Sequence, residues 1–390
     1  MKSLLEAPLW RMGFRPLFWL GSLYAVGMMV YWVGWLEGWW VFGSNLNMVN
    51  VHMHEMVFGF VAAIVGGFLL TASANWTRTR GLHGGPLFLV TLFWLLGRFG
   101  MLMTLLGFHP IWIILDFAFL PAVAVAIAPS LWKAKKYTNF FPLLWLGIMA
   151  TGNILFLLEA SNLWVGWGRR GLFLGLYAVV ALMVLIGGRV LPFFTKNFIQ
   201  DPGIQKWPIV DGLSFVFTGA FVLSAFVMGE MHLVTGNLAG VAGLFHLLRM
   251  RHWGTLRTWK TPILWVLHLA YLWVVAGFLL QAAAIYGWLP WTMAVHAYTA
   301  GGMGCFILGM ISRVALGHTG RPLRASSIIV VAYVLVLLSA FTRVLTPLLP
   351  GHAYHVLIAA AGTAWVLAYG LYVVMYTPIL WSARADGRDG

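Results

Sequence analysis

Val51-His52-Met53-His54-Glu55-Met56 gathers two imidazoles, a carboxylate and two thioethers just before an apolar run that continues to Leu70. Ionisable groups inside a bilayer are costly to keep there, so they mark function by default. The chemistry open to this stretch is ligation of a metal or haem by imidazole or thioether, and proton transfer by the carboxylate. His52 and Met56 stand one helical turn apart and can share a face. His52 and His54 diverge by about 200° on a regular helix, so a shared ion requires extended or first-turn geometry at a span entrance. Glu55 reads as a ligand, as an acceptor fixing a histidine tautomer, or as a catalytic proton relay. The bland alternative is a polar cap at headgroup level.

Other positions offer the same chemistry. His296 precedes the glycine-rich run Gly301-Gly302-Met303-Gly304, which lets a second helix or a flat macrocycle approach the backbone. Plain small-residue helix packing explains those glycines equally well. His268 is flanked by apolar and aromatic residues, where an unpartnered imidazole would cost roughly a few kcal/mol. It reads either as a ligand or as a satisfied core histidine. His318, in the turn-rich stretch Ser312 to Pro322, and His246 are further candidate ligands. Two arginines within spans call for anions. Arg189 follows Gly187-Gly188 and precedes Pro192, which should break the helix; its target is a haem propionate, a carboxylate or a substrate group, with snorkelling to headgroups as the alternative. Arg98 lies deeper, and Glu55, Asp116 or a propionate can answer it.

The elements that must hold these side chains are membrane spans. The chain has 390 residues, 61% hydrophobic and 9% charged, against roughly a quarter charged in soluble domains. The fold class is all-α: a polytopic integral membrane protein, one transmembrane domain of about twelve helices near residues 14–36, 52–74, 86–107, 110–132, 140–159, 171–195, 209–228, 230–248, 262–286, 291–312, 326–347 and 353–381. The runs are too long and continuous for the alternating strands of a β-barrel. No segment has the pattern of a cleaved signal peptide, so the first span is expected to stay. A formal charge of +14 fits basic cytoplasmic loops better than a nucleic-acid partner. With both termini in the cytoplasm, all but five of the 24 Lys and Arg fall on the inner side, among them Lys2, Lys135, Lys136 and Arg249. Arg169 and Arg170 fall outside, and Arg98, Arg189 and Arg343 within spans. His52, His54 and His296 then share the outer layer, and span ten is expected to complete a site with the first two. One cysteine, Cys305, excludes an internal disulfide and a thiolate cluster. No repeat relates the two halves, as many transporters would show.

Phe14-Arg15-Pro16, the stretch His52 to Gly59, Asn75-Trp76-Thr77, the stretch Gly187 to Thr195 and the stretch Met310 to Pro322 occur in this order. Together they resemble the NnrS family, bacterial twelve-span membrane proteins associated with denitrification and nitric oxide stress. The resemblance covers about residues 11 to 380. It implies haem b, copper, nitric oxide as the molecule handled, and residence in the bacterial inner (cytoplasmic) membrane. On that basis the first expectation is a haem–copper oxidoreductase that reduces nitric oxide to nitrous oxide with a quinol electron donor. Glu55 would deliver protons, Arg98 or Arg189 would anchor propionates, and His52, His54, His268 and His296 would be ligands, with His246 and His318 in reserve. The alternatives are a nitric oxide-binding protective or sensor protein, and a copper- or haem-handling transporter.

Overall fold

The computed structural model describes residues 5–40, 46–134 and 140–388; Lys2, Lys135 and Lys136 lie outside them. Among the described residues no strand occurs, and twelve helices are long and apolar enough to cross a membrane. They are α1 (Phe14–Leu36), α2 (Met48–Thr77), α3 (Gly84–Leu105), α4 (Pro110–Lys133), α5 (Phe141–Ala160), α6 (Gly168–Ile199), α7 (Pro208–Met228), α8 (Leu233–His252), α9 (Pro262–Ile285), α10 (Trp291–His318), α11 (Ser327–Leu348) and α12 (His352–Trp381). Each lies on one of the twelve spans expected from hydropathy.

Their ends follow local chemistry. Pro110, Pro142, Pro208 and Pro262 occupy first-turn positions, where a missing N–H removes no helical bond. Asn47 accepts from the amides of Val49 and Asn50, so α2 starts at Met48 and not at residue 52. His52 and His54 therefore lie inside regular helix rather than at its entrance. Pro192 does not end α6, which continues to Ile199; a bilayer span keeps its helix across a proline because no competing solvent is available to the backbone.

Two helices widen into π geometry. In α2 the segment Glu55–Val61 is π-helical, and in α10 so is Ala297–Gly304. Such widened segments are rare and concentrate at functional sites.

The chain forms two compact units, residues 1–176 with 314–322 and 373–390, and residues 177–313 with 323–372. In the first, α1 packs on α2, α2 on α4, α4 on α5, and α3 along the first turns of α4. Glycines allow the closest crossings: a Cβ at Gly100 would strike the Trp112 carbonyl, and one at Gly152 the backbone of Gly171 and Gly175. In the second, α7, α8 and α9 pack in sequence, and both α9 and α11 pack on the π-helical part of α10.

Candidate functional site

In the first unit the start of α2 aims its two histidines apart. His52 stacks on Trp32 with ring centroids 4.2 Å apart. His54 turns inward, is fully buried and lies on the Phe156 ring at 4.5 Å. Regular helical geometry thus separates the two imidazoles. His54 Nδ1 donates to Glu55 Oε1 at 2.6 Å. Its Nε2 faces Asn153 Oδ1 at 2.9 Å and Asp116 Oδ2 at 3.1 Å. The Asn153 amide donates to Asp116 Oδ2 at 3.1 Å.

Arg98 closes the cluster. One guanidinium nitrogen donates to Glu55 and another to Asp116, while the Tyr24 hydroxyl donates to Glu55 Oε2. The rings of Tyr24 and Trp94 flank the guanidinium at 5.4 and 5.9 Å. Two glycines make room: a Cβ at Gly59 would strike Arg98 and Tyr24, and one at Gly97 would strike Asp116. Both nitrogens of His54 face oxygen acceptors, the pattern of an imidazolium. Two cations then meet two carboxylates, and the buried quartet is neutral. Without that balance, desolvation would outweigh the pairing.

The second unit has its own buried network. Arg249, counted with the loops from sequence, is buried in α8 and donates to Asp211 Oδ1 at 2.8 Å and to the Tyr271 hydroxyl at 3.0 Å. Its guanidinium occupies the space beside Gly188. Gly187-Gly188 thus does admit an arginine, but one from another helix; Arg189 itself is exposed. His246 is bonded to Thr218 Oγ1 at 2.8 Å and to Tyr271 at 2.7 Å. His268 is bonded to Thr195 at 2.8 Å and to Thr255 at 3.0 Å. Thr255 also lines a cavity of about 510 Å³ with Arg251, His252 and Arg257.

His296 is half-buried, and its Nδ1 donates to the Thr292 carbonyl at 2.8 Å. That bond places the lone pair on Nε2, the tautomer of a metal ligand. Two residues on, Tyr298 is fully buried and its hydroxyl has no hydrogen-bond partner among the described residues, an omission worth about 1–3 kcal/mol. Sequence reading passed over this phenol because nothing in its neighbourhood marks it. The glycines that follow are covered by Trp273 at Gly301 and Trp365 at Gly304, which is small-residue packing. His318 ends α10 as helix rather than loop, against the Phe14 ring at 5.6 Å. Its carbonyl accepts from Arg384 at 3.0 Å, and the same arginine holds the Asp386 carboxyl well below the usual range.

These geometries sort the proposed ligands. Among the described residues no group of three or more His, Cys, Asp or Glu side chains is placed to hold a metal ion. His54, His246 and His268 have both ring nitrogens engaged within the chain. Haem would ask less of the protein, since one imidazole would suffice to hold it. His296 has the donor chemistry for that role.

The fold and these buried charges define a multi-pass, all-helical membrane protein with ionisable groups held inside its spans. The sequence pattern of the NnrS protein family matches residues 8–384, and the chain belongs to that family, which is associated with nitric oxide responses and with haem or metal. No curated protein matches the chain.

Proposed function

We propose that this chain is a haem- and copper-dependent protein of nitric oxide metabolism in the bacterial inner membrane, with both termini cytoplasmic, and that it reduces nitric oxide with electrons from a quinol. Nitric oxide is small, neutral and lipid-soluble, and reaches a buried site through the bilayer. Two molecules, two electrons and two protons give one nitrous oxide and one water; oxidation of one quinol to quinone releases the two electrons and two protons. The observation that carries this reading is the buried quartet around Glu55. A reaction that forms water inside a membrane needs a group that holds protons there, and intramembrane carboxylates are the usual means. The Tyr24 hydroxyl, Glu55, His54 and Asn153 are hydrogen-bonded in series. Glu55 takes a proton at Oε1 from the His54 imidazolium and carries it as a neutral carboxyl, and His54 is left neutral to accept the next one. Arg98 keeps the Glu55 carboxylate oriented between transfers. Haem, when bound, supplies the iron at which the gas is held, and His296 is the residue to hold it. No step is assigned to copper.

One observation favours capture of nitric oxide without turnover. The three buried histidines, His54, His246 and His268, are all committed to hydrogen bonds, which speaks against a two-metal site built on them. Quinol-loaded proteoliposomes under argon separate the readings. Quinol-dependent loss of nitric oxide at an electrode, with one nitrous oxide formed for every two consumed, supports reduction. Uptake that stops at a fixed ratio of gas to protein supports capture and removes the reductase assignment.

A further inference from the structure

The hydrogens around His268 can be placed one by one. The Thr195 hydroxyl donates to the Leu191 carbonyl at 2.7 Å, and a hydroxyl has a single hydrogen to give. Toward His268 Thr195 is therefore an acceptor, and the proton between them sits on Nε2, 2.8 Å away. No carboxylate is among the partners of this buried imidazole, so it is neutral and its Nδ1 keeps a lone pair. That lone pair takes the hydrogen of Thr255, at 3.0 Å. On its other side Thr255 belongs to the wall of the cavity of about 510 Å³, and its oxygen can only accept there.

The rest of that wall is of two kinds. Along Ile204, Leu247 and Leu272 it is apolar. Leu272 stands about ten residues past Pro262, roughly 15 Å along α9 at the helical rise. Leu247 is exposed on α8, a flank that faces lipid in a membrane span. The other kind is cationic. Arg257 is paired with Asp201, whereas Arg251 has no ion pair or side-chain hydrogen bond among the described residues. Between α8 and α9, Leu256 is 93% and Trp259 77% exposed, which suits a turn held at headgroup level. A ligand that satisfies this wall brings a hydroxyl hydrogen for Thr255, an oxygen for the Arg251 guanidinium, and an apolar body that enters from lipid. A bare phosphate lacks the apolar body and has no need of an acceptor.

We infer that the cavity where α8 meets α9 binds the ring of a lipid-soluble quinol: one ring hydroxyl donates to Thr255 Oγ1, the other oxygen accepts from Arg251, and His268 is a positioning residue that fixes the Thr255 hydroxyl. The inference rests on the quinol-driven reading above and gives the quinol its place. The test is binding of the fluorescent ring mimic heptylhydroxyquinoline N-oxide to purified full-length protein in detergent, without nitric oxide. Quenching should saturate and be reversed by decylubiquinol. Thr255→Val and Arg251→Gln should each weaken binding about tenfold, while Thr255→Ser, which keeps the hydroxyl, should bind like wild type. Arg80→Gln, at another cavity of about 360 Å³, should change nothing. Circular dichroism and gel filtration certify folding. Absence of saturable binding to wild type overturns the inference, as does unchanged affinity in folded Thr255→Val and Arg251→Gln. Should Thr255→Val not fold, unchanged affinity in Arg251→Gln, whose side chain is exposed, overturns it alone. Displacement of the probe by phosphatidylglycerol or inorganic phosphate but not by decylubiquinol makes the cavity an anion site and overturns it too. Quinol-driven nitric oxide reduction that these substitutions leave intact sinks this inference alone. Variant-sensitive probe binding in a protein that reduces no nitric oxide leaves it standing and sinks the reductase reading.

Discussion

At the scale of residues, charge balance governs the buried quartet. Removing Arg98 leaves two carboxylates facing one imidazolium, an uncompensated charge worth about 3–5 kcal/mol. Arg98→Met is therefore expected to lower the thermal midpoint in detergent strongly, and Arg98→Met with Asp116→Asn to recover part of the loss by restoring neutrality. Additive losses in the pair would refute the balance. Glu55→Gln preserves shape and removes the proton carrier. It is expected to slow quinol-driven nitric oxide consumption by on the order of 10²-fold while leaving the haem spectrum in place; an unchanged rate would exclude Glu55 from proton delivery. Sequence alone offers Glu55, Asp116 or a propionate to Arg98, and the structure pairs it with both acids. Sequence alone misplaced Arg249, whose position near a helix end looks like a loop. The deciding facts were Asp211 on α7 and the gap at Gly188, neither adjacent in sequence.

At the scale of elements, glycine decides how closely helices cross. Gly147 and Gly152 sit on the same helix, α5. A Cβ at Gly147 meets nothing, whereas one at Gly152 meets backbone atoms of α6. Gly147→Ala is expected to be neutral or to stabilise by about 0.5–1 kcal/mol, and Gly152→Ala to destabilise by about 1–3 kcal/mol. Equal effects in unfolding experiments would deny the close crossing. The spans themselves were legible because long apolar runs, first-turn prolines and the Asn47 cap all act locally. The π-helical segments were not, since no apolar period distinguishes a widened turn from a regular one. The first of them opens at Glu55, directly after His54.

At the scale of the whole molecule, the basic asymmetry of the loops predicts both termini in the cytoplasm. A C-terminal green fluorescent protein fusion should fluoresce and a C-terminal alkaline phosphatase fusion should be inactive; the reverse pattern would invert the assignment. The count of twelve was readable from hydropathy, and membership of the NnrS family from five motifs in order. The most direct measurement is the absorption spectrum of the purified, reduced protein during anaerobic titration with nitric oxide. A Soret band of protein-bound haem that shifts as nitric oxide is added is the expected result. A protein with no Soret band, or one whose band ignores nitric oxide, would contradict the account.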